Sequence, residues 1–222
     1  KFADKEIRPR IGDRTYQLQA DDVNDDADDG KDPWDGKTFK IKGIDGGYLG
    51  ACNEIDKDLR DHIFGRSYYV YSHNDANYGT IWKATKRGNG YVLEIVQGLS
   101  HLQRKKNVVH YQLAVHAYHK QDIREDDGNG RSVWCMVTDI ANYATVFSIT
   151  TVAQCSNQNL VTLTVLEPAG IQKYLPLKIV PVGYNVAVCS EDKDRRDENS
   201  VFVAAHSEAE PSVFELIYPS YT

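Results

Sequence analysis

From Trp34 onward the chain alternates short apolar, β-branched or aromatic runs with turn residues, and no helix-period run reaches a dozen residues. The pattern predicts strands at Thr38–Ile44, Tyr48–Cys52, Ser67–Ser72, Thr80–Thr85, Tyr91–Gln97 and Val108–Tyr118. It predicts further strands at Val133–Thr138, Ala144–Val152, Leu160–Leu166, Leu177–Val180, Asn185–Cys189, Ser200–Ala205 and Ser212–Tyr218. Turn chemistry separates them: Asp45-Gly46-Gly47, Gly88-Asn89-Gly90, Asp126-Asp127-Gly128-Asn129-Gly130 and Glu167-Pro168-Ala169-Gly170. The glycine-rich turns favour hairpins and antiparallel pairing. Short helices fit only Asn53–Ile63 and Gly170–Leu175, the second stopped by Pro176. The chain reads as all-β.

The longest run shows how faces are assigned. Val109, Tyr111, Leu113, Val115 and Ala117 share one parity, and His110, Gln112, Ala114, His116 and Tyr118 the other. Alternation of this kind buries one face and wets the other. It suits a barrel lining and a sandwich core equally.

Residues 1–31 break the pattern. Asp21–Gly30 holds six aspartates in ten positions, so carboxylate repulsion and scarce apolar surface predict an extended acidic arm ahead of one β domain over 32–222. A calcium loop is the alternative, but EF-hand spacing from Asp22 puts Ala27 where glycine is required.

A net charge of −6 argues against nucleic acid as partner, and Arg104-Lys105-Lys106 reads as a solvated turn. No apolar run is long enough for a membrane-spanning helix. Cys52, Cys135, Cys155 and Cys189 are widely spaced with no Cys-x-x-Cys pair, which fits two disulfides in a secreted protein and excludes the usual zinc patterns. Pairing of Cys52 with Cys155 and Cys135 with Cys189 is one of three possibilities.

Catalytic signals are poor. Gly98-Leu99-Ser100-His101-Leu102 lacks the second glycine of a nucleophile elbow. His110, His116 and His119 stand too far apart along a strand to share an ion without other strands. Asp56, Asp58 and Asp61 with His62, and the loop Ser72–Asn77, could hold a divalent cation, although both read first as polar turns. The fourteen tyrosines suit cavities or recognition surfaces.

The segment Ser132–Ser148, SVWCMVTDIANYATVFS, resembles the second conserved motif of the lipocalins. In that family the motif forms the corner between neighbouring barrel strands, a role falling here on Asp139 and Tyr143. Gly36 matches the first-strand glycine, with Thr38 where the family carries Trp and Trp34 in the turn before. Leu160–Pro168 resembles the last barrel strand and the turn beyond it, while the family's third motif has no counterpart. The resemblance implies an antiparallel β-barrel calyx holding a small hydrophobic ligand without catalysis. Candidate lining residues are Tyr69, Tyr71, Trp82, Leu93, Tyr111, Leu113, Val115 and Phe147.

A weak internal repeat supports a second architecture. Tyr48, Tyr111 and Tyr184 each open a short apolar strand, followed by Ile81-Trp82, Val133-Trp134 and Val213-Phe214. Three strand-then-aromatic copies are the layout of a β-trefoil, which would recognise carbohydrate or protein through exposed loops and keep a solid core. The intervals of 52 and 80 residues between aromatic pairs are uneven for such a repeat. A β-sandwich, and a metal-dependent secreted enzyme using the aspartate clusters, complete the alternatives.

Overall fold

The computed structural model describes residues 32–44, 46–51, 67–76, 80–97, 111–115, 123–126, 130–138, 144–155, 158–168, 180–188, 200–207 and 210–219. Among these residues thirteen strands form one hydrogen-bonded sheet, with antiparallel pairing throughout. They are β1 Thr38–Gly43, β2 Tyr48–Ala51, β3 Ser67–His73, β4 Ile81–Arg87, β5 Gly90–Gln97, β6 Gln112–Val115 and β7 Ile123–Asp126. The rest are β8 Gly130–Thr138, β9 Val146–Cys155, β10 Gln158–Glu167, β11 Asn185–Val188, β12 Ser200–His206 and β13 Phe214–Ile217.

The pairings have a threefold logic. β1, β4, β5, β9, β10 and β13 close a six-stranded barrel, each paired with the next and β13 with β1. The other strands form three hairpin-like pairs, β2 with β3, β6 with β8 and β11 with β12. Each pair joins the barrel through its first strand, on β1, β5 and β10 respectively. The second strands then pair with one another in a ring, β3 with β8, β8 with β12 and β12 with β3. Among the described residues only the β7–β8 pairing falls outside these sets of three. The antiparallel barrel expected from the sequence is present, and its connectivity is that of a β-trefoil with repeats β1–β4, β5–β9 and β10–β13.

Registers superpose the repeats residue by residue. Phe39 opposite Trp82, Tyr91 opposite Phe147 and Val161 opposite Phe214 are equivalent pairs. Trp82, Phe147 and Phe214 are fully buried, one aromatic per repeat. This corrects the middle copy of the sequence repeat: Val146-Phe147, not Val133-Trp134, matches Ile81-Trp82 and Val213-Phe214. The intervals then become 65 and 67 residues.

Buried side chains from all three repeats make one core, with Ile41, Leu93 and Leu163 in its barrel part and Leu49, Leu113 and Val186 under the hairpins. β1 shows how the sequence encodes it: Phe39 and Ile41 are buried while Thr38, Lys40 and Lys42 alternate with them at the surface. Trp34 adds its ring to this core at 5% exposure, tied by its backbone N–H to the Asp32 carboxylate. A second small cluster, Val92, Ala144 and Val146 with Leu166, packs outside the barrel. The β4–β5 turn needs a left-handed residue, and Gly88 supplies it at φ 57°.

β7 was not anticipated from the sequence. The lipocalin-like corner was expected between neighbouring strands, whereas among the described residues β8 pairs with β3, β6, β7 and β12 and β9 pairs with β5 and β10. Asp139 and Tyr143, residues 1–31, the two short helices and Leu177–Lys178-Ile179 lie outside the described residues. So do Cys52 and Cys189. Cys135 is buried on β8, Cys155 ends β9, and no disulfide is seen among the described residues.

Candidate functional site

Six of the eight candidate lining residues meet inside. Trp82, Leu93, Tyr111, Leu113, Val115 and Phe147 belong to the central core. Trp82, Leu93, Val115 and Phe147 have no accessible surface, so no void large enough for a water touches them. Tyr71 differs. On β3 the core residue is Val70, whose partner is Ala51, so Tyr71, opposite Gly50, falls on the other parity. The Tyr69 backbone, opposite Met136, shares the parity of Tyr71. A one-residue step along a strand reverses the face, so Tyr71 lies opposite in parity to the core residue Val70.

One polar atom in the core stands out. The Trp82 indole Nε1–H has no hydrogen-bond partner although the side chain is wholly buried. Its counterparts Phe147 and Phe214 carry no such donor.

The other face of the sheet carries three equivalent polar rows, each built by register from strands distant in sequence. In the first, Glu215, Lys42, Tyr48 and His73 are direct cross-strand neighbours across β13, β1, β2 and β3. In the second, Lys83, Glu94, Gln112 and Thr138 follow across β4, β5, β6 and β8. In the third, Ser148, Thr164, Asn185 and His206 follow across β9, β10, β11 and β12. Register continues the rows to Ser200, Ser67 and Ser132. Every position is polar. Each row runs from half-exposed residues inward to a buried one: His73, Gln112 and His206 are 8%, 8% and 4% exposed.

Interactions within the rows differ. In the first, Lys42 Nζ lies 3.7 Å from a Glu215 carboxylate oxygen and 5.7 Å from the centre of the Tyr48 ring. Lys40 Nζ also faces that ring, at 5.9 Å, and donates to the carbonyl of Ala76 at 2.9 Å. His73 Nδ1 accepts the Asp75 backbone N–H at 2.9 Å. In the third, Thr164 Oγ1 donates to Asn185 Oδ1 at 2.9 Å. In the second, Gln112 Oε1 is buried without a partner.

At the barrel end away from the hairpins, Asp32 binds Lys86 Nζ at 2.7 Å and accepts the Tyr91 hydroxyl. Burial, the largest single influence, pushes the Asp32 carboxyl up. Hydrogen bonds from Lys86, Tyr91 and the Trp34 backbone, with the Lys86 charge, outweigh it and hold the group at about 2. Lys86 Nζ also sits 4.5 Å from the Tyr91 ring centre. This cluster anchors the chain entering β1 over the barrel end, and its polar groups are spent on one another.

Among the described residues no group of three or more His, Cys, Asp or Glu could hold a metal ion, and no helix is long and apolar enough to cross a membrane. Asp56, Asp58, Asp61 and His62 lie outside the described residues, as do His110, His116, His119, the Gly98–Leu102 segment and the acidic arm. The sequence places Gln112 and Ala114 on a wetter strand face, whereas both are buried, since all four residues of β6 are covered, and it marks none of the three rows. Their members are ordinary outward strand residues, and only the register aligns them. Comparisons with protein-family models, with curated proteins and with solved structures return no match.

Proposed function

We propose that this protein is a non-enzymatic recognition module that binds carbohydrate through the polar rows on the outside of its trefoil, with the barrel interior serving as packing core. The observation that carries the reading is the threefold recurrence of a polar row at one register position. Carboxylate, amide, hydroxyl, ammonium and imidazole groups lie side by side there, beside the Tyr48 ring in the first repeat. Mixed donors and acceptors with an amphipathic ring match a hydroxyl-rich ligand, whereas a protein-binding patch is expected to have an apolar centre. The absence of accessible surface at Trp82, Leu93, Val115 and Phe147 supports a packing role for the interior. Binding to immobilised neutral oligosaccharides tests the reading: saturable binding competed by free sugar supports it, and binding to none of them refutes it.

A second reading, a small hydrophobic ligand held inside the barrel, draws on the unpartnered Trp82 Nε1–H, which an acceptor atom on such a ligand could meet. It requires the core to open by the volume of the ligand.

A further inference from the structure

We propose that the lysine-bearing outer face of β1 and β4 is a docking surface for this chain's own acidic segment, residues 21–30, whose aspartates pair there with Lys40 and Lys83. The inference does not depend on the carbohydrate reading. Phe39, Ile41, Trp82 and Ala84 are core residues, so Lys40, Lys42 and Lys83 share the outward parity of the two strands. Lys83 stands opposite Thr38 and Lys40 opposite Ile81, which makes Lys40 and Lys83 diagonal neighbours, about 7–8 Å apart at the backbone. All three lysines are half-exposed.

The charges on this face are unevenly answered. Lys42 has the Glu215 carboxylate at 3.7 Å. Lys40 has the Ala76 carbonyl and the Tyr48 ring but, among the described residues, no carboxylate. Glu94 stands opposite Lys83 across the ladder, yet its interaction lies elsewhere and no ion pair joins the two. The chain arrives beside this face. Gly36 N–H donates to the Ala84 carbonyl and Ala84 N–H to the Lys37 carbonyl, and Asp32 is fixed to Lys86 Nζ at 2.7 Å. Lys83 lies three residues back along the same strand, about 10 Å away. Just before Asp32, residues 21–30 carry Asp21, Asp22, Asp25, Asp26, Asp28 and Asp29 and no basic residue. At about 3.3 Å per extended residue, Asp29 reaches about 10 Å from Asp32 and Asp25 about 23 Å, which brackets Lys83 and Lys40. Surface ion pairs are individually weak, but a short tether holds the aspartates at about millimolar effective concentration.

The test is zero-length carbodiimide coupling of carboxylates to amines in the full chain, mapped by mass spectrometry, with the Asp32–Lys86 pair as internal control. The expected result is coupling of the aspartates of residues 21–30 to Lys40 and Lys83 in the monomer fraction, at a yield unchanged by dilution. That yield should fall about tenfold in 1 M salt, where the screening length is about 3 Å. Independently, replacing all six aspartates by Asn in the full chain should shift the backbone NMR signals of Thr38, Lys40 and Lys83 and leave those of Thr162 and Thr164 in place. Coupling of Asp32 to Lys86 without coupling to Lys40 or Lys83 would overturn the proposal, as would coupling spread evenly over the chain's lysines. Coupling confined to a dimer fraction would make the occupant the segment of a second copy and overturn the intramolecular assignment. Unchanged signals at Thr38, Lys40 and Lys83 in the Asn variant would overturn the docking itself.

Discussion

Thr145 Oγ1 accepts the backbone N–H of Val115 at 2.8 Å, tying the entrance to the second repeat's closing barrel strand to its hairpin. The same bond recurs from Ala51 to Thr80 at 3.2 Å and from Val188 to Ser212 at 3.0 Å. Backbone bonds repeat with it: the N–H of Thr80, Thr145 and Ser212 donates to the carbonyl of Leu49, Leu113 and Val186. A hydroxyl two residues before each core aromatic therefore satisfies a hairpin N–H that the strand ladder leaves over.

Replacing Thr145 by Val keeps the shape and removes the acceptor. The Val115 N–H is then buried without a partner, at an expected cost of about 1–3 kcal/mol. Thr145→Ser, which keeps the hydroxyl as Ser212 does, should retain most of that stability. Urea denaturation of the two variants measures the difference.

The three core aromatics should respond unequally. Phe147→Ala removes a fully buried ring and should cost about 3–5 kcal/mol. Trp82→Phe also removes buried area, but it eliminates the unpartnered Nε1–H and installs the residue that both other repeats use. The gain from losing an unsatisfied donor, about 1–3 kcal/mol, should offset most of the loss. Thermal and chemical denaturation should find Trp82→Phe the far milder change.

The Asp32 anchor has a defined pH signature. Its carboxyl lies at about 2 when folded, below its ordinary 3.8, so its stabilisation is complete above the ordinary value and is lost as pH falls toward 2. The group is partly exposed, so screening limits the effect to about 0.5–1 kcal/mol at neutral pH. Asp32→Asn should be less stable than the wild type by a constant amount above pH 5. The gap should narrow between pH 4 and pH 2 and shrink in high salt at any pH.

The barrel and most strand positions were legible because β-branched alternation is a local signal. Phe39, Ile41, Leu93, Leu113 and Val115 all fall where period two puts them. The repeat was only half legible. Ser132-Val133-Trp134 carries the same hydroxyl, β-branched, aromatic pattern as Thr80-Ile81-Trp82, so composition alone could not exclude it as the middle copy. Even spacing selects Thr145-Val146-Phe147 instead, and the pairing of Tyr91 with Phe147 confirms the equivalence. The hairpin tyrosines show a one-residue slip: by register Tyr48 matches Gln112 and Asn185, while Tyr111 and Tyr184 match Gly47. The polar rows were not legible at all. Lys42, Glu94 and Thr164 gain their meaning from residues far away in the chain, and only the register supplies those neighbours.

The central claim is that ligand is recognised on the outer polar face while the interior packs as a core. Titrating the protein with an apolar fluorescent probe, while following tryptophan emission and probe fluorescence together, tests it most directly. The account predicts no saturable response, because the residues around Trp82 offer no void to enter. Saturation near one probe per chain, with quenching abolished by Trp82→Phe, would place a ligand inside the barrel and contradict it.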